Sequence, residues 1–258
     1  SEVTSLAGLE RLRETGRLNL MGLPITSLEG LGSLTTVKTF GLQSLEQLSS
    51  FDGLHPDLRP SEGMSFSSLS KITDLSSFGP FELQYLSVSF MPLLVRLPNA
   101  HVTGHPTGPT GFSLRSLDSL DNYDGVTLAS EFWGGIRLSK LPLITHVNVL
   151  STVTELLQHQ RTPSDTNLVF LEMNGLVDVS GLSNLRSVAG VKLMYSSAIA
   201  SLDGFSALEE ITSDIQIERN AALASIDALS GVSVTAQSVV IEDNEQLSQC
   251  AVERLIDQ

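Results

Sequence analysis

VKLMYSSAIASLDGFSALEE (191–210), ITSDIQIERNAALASIDALSG (211–231) and VSVTAQSVVIEDNEQLSQC (232–250) are the same phrase written three times. Each contains an apolar-x-apolar pair: Val191 and Leu193, Ile215 and Ile217, Val239 and Ile241. Three residues after the second anchor stands Ser196, Asn220 or Asn244; six after it, Ile199, Leu223 or Leu247; nine after it, Leu202, Ile226 or Cys250. Leu193, Ile217 and Ile241 recur at a spacing of 24. A repeat of that length cannot bury its own apolar face, so neighbouring copies must stack into a solenoid. Alternation within each pair makes the repeating unit a strand with one face inward.

The pattern extends backwards along the chain. Leu18 and Leu20, Phe40, Met64 and Phe66, Leu86 and Val88, Phe112 and Leu114, Ile136 and Leu138, and Val169 and Leu171 are read as earlier strand anchors, with Val177 and Val179 closing the last of these rungs. The expected architecture is a mainly β, right-handed parallel β-solenoid of about ten rungs. It forms one continuous domain with short helical caps: an N-terminal cap over 1–17, rungs over 18–250, and a cap helix over 251–258. Leu6, Leu9 and Leu12 at spacing three suit the first cap, and an amphipathic Ala251–Ile256 suits the last. Phrases such as Gly30-Leu31-Gly32-Ser33-Leu34 and Gly181-Leu182-Ser183-Asn184-Leu185 suit a short helical turn or a bent strand, giving each rung a third side. At the corner, Asn174, Ser196, Asn220 and Asn244 are expected to form a polar ladder, because Asn tolerates left-handed backbone and bonds its neighbours. In the N-terminal half, Leu23, Leu69, Met91, Leu117 and Leu141 make that corner apolar.

Composition narrows the function. Twenty-nine acidic against 15 basic residues leave a net charge of −14, which opposes nucleic acid and anionic membrane surfaces as partners. A single cysteine excludes an internal disulfide, and at a rung position Cys250 is expected to be a buried small hydrophobe. No apolar run approaches the ~20 residues of a membrane span. The chain opens Ser1-Glu2-Val3, and the expectation is an extracellular or cell-surface protein, secreted or lipid-anchored, whose signal has been removed.

Phe205–Ile226 and Leu229–Cys250 both carry the phrase Leu-x-x-Leu-x-x-(Ile/Val) … Ile-x-x-Asn-x-x-Leu-x-x-Ile, with Phe or Cys at its ends, and this resembles receptor L-domain repeats. Those leucine-rich-repeat-like domains form the ligand-binding lobes of insulin-type and epidermal-growth-factor-type receptors, and free-standing bacterial surface relatives share the tail Leu247-Ser248-Gln249-Cys250-Ala251-Val252-Glu253-Arg254-Leu255. The resemblance spans 178–258 and 5–48. It implies a helix-capped solenoid and a binding role without receptor-kinase signalling.

Insertions point to a site. From a rung's last anchor to the next strand anchor is 12 residues for Leu28 to Phe40 and 13 for Leu75 to Val88. It is 18 for Leu48 to Phe66, 17 for Leu97 to Leu114, 18 for Leu120 to Leu138 and 24 for Val147 to Leu171. The extra residues, in 49–63, 98–112, 121–135 and 148–168, are expected to be loops on one side of the solenoid, where binding faces form. They hold Phe51, His55, His101, His105, Tyr123, Phe132 and Trp133, and Gln158-His159-Gln160-Arg161 after an expected helical turn. Trp133, Phe132, Tyr123, His101 and His105 are candidate ligand contacts, joined by Arg115 and Arg137 as neighbours on the sheet. His101 and His105 suggest a metal only with a third ligand such as His55, Asp57 or Asp124, so neither metal nor cofactor is expected. No nucleophile elbow, phosphate loop or His-Glu-x-x-His motif occurs.

The leading expectation is a non-catalytic recognition module that binds a protein or glycan as a monomer or weak homo-oligomer. The alternatives are a structural or adhesive surface spacer and, behind it, a carbohydrate-active β-helix enzyme of the pectate-lyase type.

Overall fold

A computed structural model describes residues 3–106, 111–157, 167–235 and 238–256. Seventeen strands follow one another: β1 (Glu14–Met21), β2 (Thr36–Gln43), β3 (Arg59–Ser67), β4 (Phe81–Leu83), β5 (Tyr85–Ser89), β6 (Ala100–Gly104), β7 (Phe112–Arg115), β8 (Val126–Trp133) and β9 (Ile136–Ser139). Then come β10 (Glu155–Leu157), β11 (Leu168–Leu171), β12 (Ser187–Val188), β13 (Val191–Met194), β14 (Glu210–Ile211), β15 (Asp214–Glu218), β16 (Ser233–Val234) and β17 (Ser238–Glu242), and the helix α1 (Gln249–Ile256). They form two parallel sheets, a ten-stranded one in the order β1-β2-β3-β5-β7-β9-β11-β13-β15-β17 and a seven-stranded one in the order β16-β14-β12-β10-β8-β6-β4. The chain is a β-solenoid of about nine turns.

The repeat anchors do what the alternation requires. Leu42, Phe66, Val88, Leu114, Leu138, Phe170, Leu193 and Ile217 stack in register as one column, and all are buried. Each contributes ~1.5–3 kcal/mol by leaving water. Towards the N-terminal end the column widens into an aromatic cluster. Phe51, expected in a loop, lies 4.7 Å from Phe78 and 6.4 Å from Phe66, edge to face.

One rung is shifted from its expected phase. Leu168 and Phe170 occupy the inward positions, pairing with Val191 and Leu193, in place of Val169 and Leu171. The run Leu168-Val169-Phe170-Leu171 is apolar throughout, so alternation permits either phase, and the large Phe170 ring takes the inside. The same shift makes Met173 the corner residue, removes Asn174 from the ladder, and turns Val177 outward, where it is 58% exposed.

The corner itself is unusual. Ser44, Ser68, Phe90, Ser116, Lys140, Glu172, Tyr195, Arg219 and Asp243 all have φ between 51° and 56°, two residues after the inward anchor, and Gly22 takes that place in the first rung. Left-handed backbone costs an L-residue ~1–2 kcal/mol. Here each such N–H up to Arg219 donates to the strand end of the next rung, as Ser44 does to Ser67 at 2.9 Å and Arg219 to Glu242 at 3.2 Å; Asp243 stands in the last rung. The ladder therefore holds the conformation rung after rung. The Asn residues sit one position later, and they act as hydrogen-bonding groups rather than as the left-handed residues.

The third side is both a helical turn and a strand. Short 3-10 turns at Asn148–Leu150, Ser180–Leu182, Asp203–Phe205 and Asp227–Leu229 lead into the seven-stranded sheet. Much of what reads as insertion is this second sheet: 98–112 contains β6, 121–135 contains β8, and 148–168 contains β10, a strand where a helical turn was expected. The segment 49–63 includes the first half of β3.

The ends differ from expectation too. β1 begins at Glu14, so the first rung starts before residue 18. Leu6, Leu9 and Leu12 form successive turns, with N–H of Leu9 to Leu6 at 3.1 Å and of Leu12 to Leu9 at 2.9 Å, the same bonds that link Leu28, Leu31 and Leu34. They copy the third side of a rung instead of making a helix. At the other end α1 buries Ala251 and Leu255, as its spacing predicts, but Cys250 lies in this helix and is exposed.

Candidate functional site

The expected site residues separate into three groups. Phe132 is fully buried against Gly111, whose Cβ would fall 2.4 Å from the ring, and Tyr123 is only 4% exposed. Both are core residues, so their aromatic surface is not offered to a ligand. Arg115 and Arg137 project from the outer face of the ten-stranded sheet as diagonal neighbours, since Ser113 pairs with Arg137 and Arg115 with Ser139. The Arg115 guanidinium lies 5.0 Å over the exposed Phe90 ring.

The third group is on the seven-stranded sheet. His101 stands in register between Glu82 and Thr127, and its Nδ1 is 2.9 Å from Thr127 Oγ1. Further along, Gly104 pairs with Trp133, and 129–132 of β8 lie opposite the single Thr103. Such a bulge bends a strand, and Trp133 at its end is half-buried. Gly104 is required there: its φ is 71°, and a Cβ would meet the Trp133 carbonyl oxygen at 1.9 Å. His105 follows this glycine. Thr107–Pro109 of the same stretch, and Gln158-His159-Gln160-Arg161, lie outside the described residues.

Around the start of β6 and the turn before β8, two adjoining depressions of about 400 and 620 Å³ share Asn99 and Gly125. One is lined by Ser76, Arg96, Asp121, Asn122 and Asp124, the other by Glu82, His101 and Thr127 together with Phe81. The polar groups are positioned by local bonds. Asn99 Nδ2 donates to the Ser76 carbonyl at 2.8 Å, Asn122 Nδ2 to Asp121 Oδ1 at 2.7 Å, and the Asp124 N–H to Asn122 Oδ1 at 2.9 Å. At the edge, hydrogen bonds from Ser76 and then the Arg96 guanidinium, 3.6 Å away, hold the Asp74 carboxyl below the usual carboxylate range. Sequence reasoning named His101 but missed Asn99, Asp121, Asn122 and Thr127. The signal was present only as the dense Asp-Asn-Tyr-Asp-Gly turn at 121–125, whose Gly125 adopts φ 91°. Among the described residues, no group of three or more His, Cys, Asp or Glu side chains is arranged to hold a metal.

Tyr123 yields a stability prediction. Its hydroxyl is buried without a hydrogen-bond partner, and burial pushes its ionisation well above the usual phenol range. An unsatisfied buried hydroxyl costs ~1–3 kcal/mol. Tyr123→Phe is therefore expected to raise stability by about 1 kcal/mol, read from the urea midpoint. A clear loss of stability would show that the hydroxyl has a partner.

No helix among the described residues is long and apolar enough to cross a membrane. Compared with family models, with curated proteins and with solved structures, the chain matches none of them.

Proposed function

We propose that this solenoid is a non-catalytic recognition module of a secreted or surface protein, and that it holds a glycan in the paired depressions around Asn99 and Gly125. The resemblance of 178–258 and 5–48 to receptor L-domain repeats points to binding in general. The observation that carries the glycan reading is the lining. Amide, hydroxyl, imidazole, carboxylate and guanidinium groups converge on a shallow surface built from several rungs. Such groups pair with the vicinal hydroxyls of a sugar, whereas a small apolar ligand needs an enclosed, mostly apolar cavity. Stacked strands place Glu82, His101 and Thr127, and local hydrogen bonds place Asn99, Asn122 and Asp124, which lowers the entropy cost of binding. The net charge of −14 favours an uncharged sugar over an acidic one.

Glycan-array screening of the whole chain, followed by calorimetry on the best hit, tests this. His101→Ala combined with Asn122→Ala is expected to weaken binding about tenfold or more, the loss of one or two good hydrogen bonds. Trp133→Ala reports whether the ligand extends to the bulge. Absence of any saturable glycan, or a hit that binds the double variant equally well, overturns the reading.

A further inference from the structure

The face beside the paired depressions, which shares Val95 and Asp121 with one of them, is otherwise nearly free of charge. Five and seven residues after each inward anchor, the side chains point outward on either side of a buried one, as Leu93 and Val95 flank Leu94. From the β5 rung to the β15 rung these pairs are 93/95, 119/121, 143/145, 175/177, 198/200 and 222/224, and only Asp121 among them is charged. Backbone bonds join several of these rungs: Val177 N–H to Thr145 O at 3.0 Å and Ala224 N–H to Ala200 O at 2.8 Å, while Val95 N–H reaches Thr73 O of the β3 rung at 2.8 Å. At ~4.8 Å per rung the face runs for ~24 Å. Leu93, Val95, Leu143 and Val177 on it are 51%, 43%, 50% and 58% exposed. Isolated exposed aliphatics are ordinary, but a row of them on a flat face bordered by charge has the anatomy of an interface.

The border carries a sign. Its cations are already engaged: Lys140 with Glu172 at 3.3 Å, Arg219 with Asp243 at 3.1 Å, Arg96 with Asp74 at 3.6 Å, and Arg115 over Phe90. Asp118, Asp121 and Asp178 have no Lys or Arg partner among the described residues. We propose that this face docks a basic amphipathic segment of a partner protein, an apolar stripe on Leu93, Val95, Leu143 and Val177 with Lys or Arg reaching these aspartates. A second copy of the chain would bring the same acidic border against itself, and an anionic membrane would be repelled.

The probe is an 18-residue amphipathic peptide with a leucine stripe and flanking lysines, with its lysine-to-glutamate counterpart as control, read by fluorescence anisotropy. The lysine peptide is expected to bind saturably and the glutamate peptide not at all. In Leu93→Asp combined with Val177→Asp, affinity is expected to fall about tenfold or more. This variant is decisive because it adds two negative charges. Diffuse attraction to an acidic protein would grow stronger, whereas docking on the apolar stripe weakens. Leu93→Ser with Val177→Ser makes the same comparison if the aspartate variant fails to fold. Failure of the lysine peptide to bind, equal or tighter binding to the variants, or a self-association lost in the same variants overturns the proposal.

Discussion

Ile217→Asp is expected to unfold the C-terminal rungs while the N-terminal ones remain folded. Ile217 is fully buried and stacks between Leu193 and Ile241. A carboxylate there has no cation and no water. Protonation removes the charge but still leaves a polar group in an apolar column, so the cost is on the order of 4 kcal/mol or more. In a stacked array each rung depends on its neighbours, and the loss spreads to adjacent rungs before reaching distant ones. Hydrogen exchange should therefore show protection lost over β13–β17 and kept over β2–β7, and the urea melt should split into two steps. Val177→Asp is the control. Val177 is 58% exposed, and the same chemical change there is expected to cost no more than ~0.5 kcal/mol. An Ile217→Asp melt that overlays the parent would refute the column.

These two substitutions also mark what the sequence discloses. The 24-residue period at 193, 217 and 241 is legible because side chains inside a parallel stack meet copies of themselves, so like residues recur. At 168–171 the cue vanishes, since four apolar residues in a row carry no phase, and Val177 is then misplaced by one. The left-handed corner is invisible for a different reason. Phe90, Lys140, Glu172, Tyr195 and Arg219 hold positive φ through inter-rung bonds, and none of them marks such a conformation locally. β6, β8 and β10 fall in stretches that the rung spacing marks as insertions and so read as loop, while β12, β14 and β16 are two residues long, too short for alternation to tell a bent strand from a helical turn. That error carries into the site. Phe132 resembles a loop aromatic only while β8 is taken as a loop, and Tyr123, in the turn before β8, is buried although it lies outside a strand. His101 lies on the outward side of β6 beside Asn99, but its groove neighbours Glu82 and Thr127 come from the rungs before and after, and linear spacing does not bring them together.

Asn220→Ala is expected to be a costly deletion of a polar side chain. The ladder has a direction: each corner N–H is served by the side chain of the following rung. Met173 donates to Ser196 Oγ at 3.2 Å, Ser196 to Asn220 Oδ1 at 3.0 Å, and Asn220 to Asn244 Oδ1 at 3.0 Å. Asn220 also donates its Nδ2 to the Leu193 carbonyl at 3.1 Å. Truncation leaves the Ser196 N–H and the Leu193 carbonyl short of these partners, at a corner where Ser196 and Asn220 are both fully buried. At ~1–3 kcal/mol for each unsatisfied group, the loss is about 3–5 kcal/mol. Asn220→Leu matches the apolar corner of the N-terminal rungs in shape. There, however, the Leu117 N–H reaches the Lys140 carbonyl at 3.3 Å, a backbone route not shared by Ser196. Leucine should recover packing and still forfeit the bond. Asn244→Ala removes the same kind of acceptor from Asn220, but Asn244 is only partly buried, so water can replace it at a cost of ~1 kcal/mol. Urea midpoints should rank Asn220→Ala well below Asn244→Ala, and the Ser196 amide should lose its exchange protection in the first variant only. Equal losses for the two, or a Ser196 amide that stays protected in Asn220→Ala, would mean that the corner is held by packing and that its asparagines are replaceable.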